Sequence, residues 1–171
     1  MHPTVQTLID AWHWSYIDMA DALDEIAPEH LHLRPSPDLI CISEQIAHLM
    51  RSESSIIGRY IFNEPESVWA ANFLTQPPYG WPPDILLAPV DPRLKSLSQT
   101  DLKQHLDANH QRLLEKAQTL DLPPGHPFQD DWSVPAPTLE VRLRFAAYHV
   151  AYHVGQIYQT RHLLGEITPD N

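Results

Sequence analysis

Residues 145–160 read FAAYHVAYHVGQIYQT, sixteen consecutive positions without a formally charged side chain. Charges return only at the flanks, at Arg142 and Arg144 on one side and at Arg161 and Glu166 on the other. Thr138 after Pro137 supplies a helix start, and Gly165 a natural stop, so the pattern predicts a helix from Thr138 to Leu164. Leu143, Ala147, Val150, Val154, Ile157 and Leu164 form its main apolar stripe. A helix that is apolar nearly all round belongs at the centre of a helical domain. His149 and His153 lie beside the stripe, with Gln156 and Thr160 along the same edge. Both imidazoles are therefore expected within the bundle or at its mouth.

Three further segments share the helical period. The first runs from about Thr4 to Ala27, with Leu8, Trp12, Ser15, Met19, Ala22 and Ile26 near one face and Pro28 as its stop. The second runs from about Cys41 to Phe62. Ile42, Ile46, Leu49, Glu53, Ile57 and Tyr60 carry it, with Glu53 as one charged interruption and Ser43 as its expected N-cap. The third starts near Ser98, where SQTD forms a capping box with Asp101 in place of Glu or Gln, and continues to about Leu120. Five glycines and no alternating apolar runs argue against a sheet. The expected fold is all-α, a four-helix bundle in one domain over residues 1–171.

Two proline-rich connections interrupt the helices. Residues 63–97 hold seven prolines, too many for continuous helix. Trp69, Phe73, Tyr79 and Trp81 make this excursion a packed loop, with one short helix expected near Val68 to Leu74. The second stretch, LPPGHPFQDDWSVPAP, precedes the last helix. These two long connections are expected to be crossovers.

Composition removes several function classes. The chain of 171 residues has 43% hydrophobic content and a formal net charge of −11, from 11 Lys and Arg against 22 Asp and Glu. Such a surface repels phosphate backbones and anionic lipid, so neither nucleic acid nor membrane is an expected partner. No signal peptide is expected, no run of about 18 apolar residues occurs, and Cys41 is the single cysteine, so a cytoplasmic protein without an internal disulfide is expected.

The chemistry concentrates in the histidine pair. A step of four residues advances a helix by about 6 Å and turns it by about 40°, so both imidazoles lean the same way. Two protonated imidazoles so close would repel and lose hydration, whereas one divalent ion accepts both as neutral ligands. Zinc, nickel, copper and iron all suit imidazole. Val150 occupies the position where a zincin requires glutamate, which excludes that protease class. A third ligand has to come from another helix, and His13, His48, His105 and His110 all qualify. His48 lies on a face with Cys41, Gln45, Ser52 and Ser55, but periodicity does not choose it over His110.

A resemblance does choose. The tryptophan in the first helix, the proline-containing link LRPSPDLICISEQIAHL and a final helix bearing H-x-x-x-H-x-G-Q together resemble the DinB-like superfamily, also called the YfiT-like metal-dependent hydrolases. The resemblance spans nearly the whole chain, except the proline-rich loop. It implies a four-helix bundle holding a divalent metal ion, zinc or nickel, on His48, His149 and His153. It also implies a metal-dependent enzyme, a thiol-dependent transferase or hydrolase acting on a small molecule such as a low-molecular-weight thiol, and a homodimer. The alternatives are a non-catalytic metal-binding or stress-linked module and a purely structural bundle. Around the site, Gln156 is a candidate contact to a ligand or to the substrate, and Glu44 a candidate for orienting an imidazole. Tyr148, Tyr152 and Tyr158 are expected to pack as aromatics, Cys41 to be an inert core residue, and Asp130 and Asp131 to form a solvated turn.

Overall fold

Four long helices build the computed structural model, which describes residues 1–69, 83–128 and 137–168. They are α1 (Pro3–Ala22), α2 (Ile42–Glu53), α3 (Gln99–Ala117) and α4 (Leu139–Leu163). No strand occurs among the described residues, only an isolated bridge between Pro127 and Thr138. The most extensive contact is α1 against α4, and α2 packs on both α3 and α4. Contacts between α1 and α3 close the ring, so α1 lies diagonally across from α2, and α3 from α4. The crossovers are thus residues 23–41 and 118–138. The long excursion after α2 joins neighbouring helices, contrary to the expectation from its length.

The termini of α3 and α4 follow local signals. The Ser98 side chain accepts from the backbone N–H of Asp101, and the Asp101 carboxylate accepts from the Ser98 N–H at 2.9 Å. Thr138 caps α4. At its other end the N–H of Glu166 donates to the Arg161 carbonyl and that of Gly165 to the His162 carbonyl, with Gly165 at φ +87°. This paired closure needs a residue in the left-handed region, which glycine enters without strain.

Helix α1 ends sooner than its pattern predicts, at Ala22 rather than Ala27. Its last carbonyls are taken by side chains from distant elements. Nη1 of Arg161 donates to the Ala22 carbonyl at 2.9 Å, and Gln99 donates to that of Leu23. Glu25 then adopts φ +51° and turns the chain away. Helix α2 also departs from expectation. Cys41, not Ser43, is its N-cap, with the Glu44 carboxylate accepting from the Cys41 N–H. After Glu53 the helix widens into a π turn over Ser54–Arg59, regains α geometry at Tyr60–Phe62 and stops at Asn63, φ +53°.

The core draws on all four helices, and Trp12, Ile9, Met19, Ile42, Ile46, Leu49, Met50 and Ile57 are among its fully buried side chains. In α4, Leu143, Ala146, Val150, Val154 and Ile157 are buried. That helix is not central, however. Its uncharged surface includes an exposed aromatic edge, with Phe145, Tyr148 and Tyr152 about half in solvent. The excursion holds a 3-10 turn at Glu66–Val68, and most of the short helix expected near Val68 to Leu74 lies outside the described residues. Residues 70–82, with Phe73, Tyr79 and Trp81, lie outside the described residues, as do Asp130 and Asp131.

Candidate metal centre

His48, His149 and His153 come together. Each offers one ring nitrogen to a cluster in which all three atoms lie within 4.8 Å of one another. The Nε2 atoms of His149 and His153 are 3.2 Å apart. The His48 ring lies 5.3 Å from the His149 ring and 5.0 Å from that of His153, centroid to centroid. The four-residue step on α4 sets the first pair, and the α2–α4 contact brings His48 to them. His153 is buried, whereas His48 and His149 are partly exposed, so the cluster opens towards solvent.

The electrostatics favour neutral rings. Burial, with the neighbouring His48, pushes His149 down to about 4. Burial, then His149 and His48, pushes His153 down to about 3, and the Gln156 side chain opposes that fall. Lowered in this way, both imidazoles favour the neutral form, in which one ring nitrogen is bare and free to bind a metal. Zinc–imidazole bonds of about 2.0–2.1 Å place two ligand nitrogens somewhat over 3 Å apart in a tetrahedral site, close to the spacing of the His149–His153 pair. The donor set and the spacing of this pair suit a divalent cation.

Neighbouring groups shape the opening. The Phe145 ring stacks on His149 with centroids 5.5 Å apart, and the Tyr152 ring lies 5.3 Å from that of His153. The amide nitrogen of Gln156 donates to the Tyr152 hydroxyl at 2.8 Å. The Gln156 carbonyl oxygen is buried without a hydrogen bond of its own. The Ser52 hydroxyl and Nε2 of His48 are 3.3 Å apart. Phe145 is the member that periodicity did not single out. Its place four residues before His149 is the signal that marks it.

Other sequence candidates fall elsewhere. Glu44 neither orients an imidazole nor faces solvent; it is buried and its carboxylate is gripped by Arg34 at 2.5 and 2.9 Å. Cys41 is buried, and burial followed by the charge of Glu44 pushes its thiol up to about 12, so it is no nucleophile. His13 and His110 pair with each other, with 3.0 Å between ring nitrogens. His105 lies on α3 and joins no such cluster among the described residues.

An all-helical bundle with three convergent histidines on two facing helices defines a class, and sequence comparison supplies its family. The chain belongs to the DinB superfamily, whose family model matches residues 11–157. The fold is also similar to the crystal structure of a conserved protein from Enterococcus faecalis, with a TM-score of 0.70 and 17% identity over 97% of this chain and 99% of that chain. No curated protein matches the chain.

Proposed function

We propose that His48, His149 and His153 hold one divalent cation, zinc or nickel, and that the protein is a metal-dependent enzyme acting on small molecules, as a thiol-dependent transferase or a hydrolase. The observation that carries this reading is the convergence of three ring nitrogens from α2 and α4 at one opening. Three neutral imidazoles are the donor count of catalytic rather than closed structural zinc sites. A divalent ion in such a site supplies Lewis acidity, lowering the pKa of a water or thiol that it takes as a further ligand. The chain's own groups orient and select. α2 and α4 fix the imidazoles, and Gln156, hydrogen-bonded to Tyr152, flanks the cluster beside His153. Phe145 and Tyr152 flank the opening and offer apolar surface to the body of a substrate. Among the described residues no carboxylate joins the histidine cluster, so the three donors they offer are electrically neutral.

Metal analysis of tag-free protein tests the site. About one ion per chain is expected, with His149→Ala and His153→Ala each losing most of it. Near-stoichiometric metal unchanged by both substitutions would refute the assignment. A screen of low-molecular-weight thiols against electrophilic substrates tests the chemistry, and turnover that survives complete metal removal would overturn a metal-assisted reaction.

A further inference from the structure

A second cluster of titratable groups lies where α1, α2 and α3 meet, and the metal reading does not use it. Glu53, the last residue of α2, is completely buried. Its Oε1 accepts from Nε1 of Trp12 at 2.6 Å, and its Oε2 accepts from the Tyr16 hydroxyl. The guanidinium that acts on it, Arg112, is committed to Glu64 and to the Asn109 side-chain oxygen. His110 of α3 is also buried. Its Nδ1 lies 3.9 Å from Glu53 Oε1 and makes no hydrogen bond. Its ring stacks on Tyr16 at 3.5 Å and meets Trp12 edge-on at 4.8 Å. Its Nε2 lies 3.0 Å from Nδ1 of His13, and His13 is exposed. The three groups therefore lead stepwise from solvent to the core.

We propose that Glu53, His110 and His13 form a proton relay between solvent and a buried acid, and that the native fold holds at Glu53 a proton that the unfolded chain releases. A carboxyl removed from water without a cation in contact favours its neutral form. Burial pushes Glu53 up to about 7, against the lowering action of Tyr16, Trp12, Asn109 and Arg112. Among the other ionisable groups, Tyr16 from α1 donates to Glu53 and His110 from α3 lies against it, while Asp107 acts on Tyr16 and His13 on His110. Burial and the charges of Glu53 and Asp107 hold Tyr16 well above its ordinary value, so it stays a donor throughout.

The step balances. In the loaded state Glu53 carries a proton facing bare Nδ1 of His110, whose Nε2–H donates to Nδ1 of His13. For release, the His110 ring closes the gap to Glu53 by about 1 Å, the change that brings 3.9 Å within hydrogen-bond reach. The Glu53 proton passes to Nδ1 of His110, the Nε2 proton of His110 passes to Nδ1 of His13, and His13 gives its Nε2 proton to water. Three bonds to hydrogen break and three form, with one proton delivered to solvent. Uptake is the reverse.

An acid whose folded pKa exceeds its unfolded value stabilises the fold below the unfolded pKa and loses that contribution as pH rises to the folded one. Here the window runs from 4.5 to about 7. Within it, this one proton raises the unfolding constant about tenfold per pH unit. His110, held neutral by burial, acts with the opposite sign, so the comparison must be between wild type and Glu53→Gln.

The test uses metal-stripped protein with 13C in its glutamate carboxyls, titrated by NMR. One glutamate is expected to titrate between about pH 6 and 8, and Glu53→Gln should remove that resonance and the associated slope in stability. Should that variant fail to fold, the wild-type titration still decides, because a spectrum with no glutamate titrating near neutrality overturns the proposal. The relay is read separately as the rate of carboxyl deprotonation after a pH jump, followed in the infrared. His13→Leu should slow it at least about tenfold while leaving the titration midpoint near its wild-type value. An unchanged rate overturns the relay.

Discussion

Gly58→Ala and Gly155→Ala make the same chemical change within helical backbone, yet should act with opposite signs. Gly58 sits inside the π turn, where an added Cβ would meet Glu64 Oε2 at 2.5 Å and Leu113 Cδ2 at 3.3 Å. Glu64 cannot simply swing aside. Arg112 and Lys116 hold its carboxylate, and its backbone N–H donates to the Gly58 carbonyl at 3.0 Å. Overpacking against a held group costs about 2 kcal/mol. One weakened charge-assisted hydrogen bond adds about 1.5 kcal/mol. Against these, replacing glycine within a helix returns about 1 kcal/mol. The net expectation is a loss of about 2–3 kcal/mol, dominated by the clash. Around Gly155 nothing lies within 4 Å of the added Cβ, so the same replacement should stabilise α4 by about 0.5–1 kcal/mol. Urea unfolding of metal-stripped protein measures both, with unchanged m-values showing that the denatured state is not the cause. Adding Glu64→Ala to Gly58→Ala should recover part of the loss, a coupling that a double-mutant cycle isolates. A Gly58→Ala variant as stable as wild type, or a coupling indistinguishable from zero, would refute the account of the π turn.

Three further outcomes are expected. Arg34→Ala strips the buried Glu44 of its partner and removes donors to the Ile85 and Ala88 carbonyls. It should cost about 3–5 kcal/mol and speed proteolysis around residues 83–88, whereas a loss below about 1 kcal/mol would mean the pair contributes little. Cys41, with its thiol pushed up to about 12 by burial, should resist thiol reagents in the native protein at about pH 8 and react once unfolded; rapid native labelling would contradict its burial. For Glu166, burial alone would raise the carboxyl, but hydrogen bonds from His30, Arg161 and the Ala27 N–H outweigh it and hold the pKa below the ordinary value. Its contribution is present above 4.5 and lost as pH falls through the lower folded value. Glu166→Gln should therefore flatten the acid limb of the stability curve, and an unaltered limb would count against the ion pairs.

The parts legible in the sequence were those set within a few residues of chain. Ser98 with Asp101, Thr138 with Val141, and Gly165 with its two closing hydrogen bonds are local devices, and their signals are local too. The His149–His153 pair belongs to the same kind, since helix pitch alone aligns its rings. The choice of His48 over His110 depended on which helices adjoin. That is set by the ring order α1–α4–α2–α3, which a periodicity on one helix does not contain. The early end of α1 was hidden for the same reason, because Arg161 and Gln99 reach it from other elements. Glu44 is drawn away from the imidazoles because Arg34, ten residues earlier, meets it in a buried pair. The uncharged stretch of α4 misled through its composition. Exposed Phe145, Tyr148 and Tyr152 carry no charge, so an apolar solvent-facing edge and a buried face read alike.

Helix α2 separates two clusters of side chains, and its pitch explains how. His48 and Glu53 are five residues apart, a rotation of about 140°, so their side chains leave the helix on nearly opposite sides. His48 faces α4 and the other two imidazoles, while Glu53 faces α1 and α3, where Trp12 and Tyr16 hold it. Had Glu53 stood one position earlier, it would lie one helical turn from His48 on the same face and within reach of the cluster. A carboxylate there would lend negative charge to the proposed cation site, whose three histidines are neutral donors, and would weaken its pull on a water or thiol. The observed spacing keeps the acid out. Moving a carboxylate onto the cluster's face with Ser52→Glu should therefore tighten metal binding while reducing the acidity of any ligand the ion takes. Titration of the metal-loaded variant with a thiol, followed by its charge-transfer absorption in the nickel or cobalt form, reads the second effect. A thiol that ionises at the same pH in variant and wild type would show that the neutrality of the donor set is not what matters.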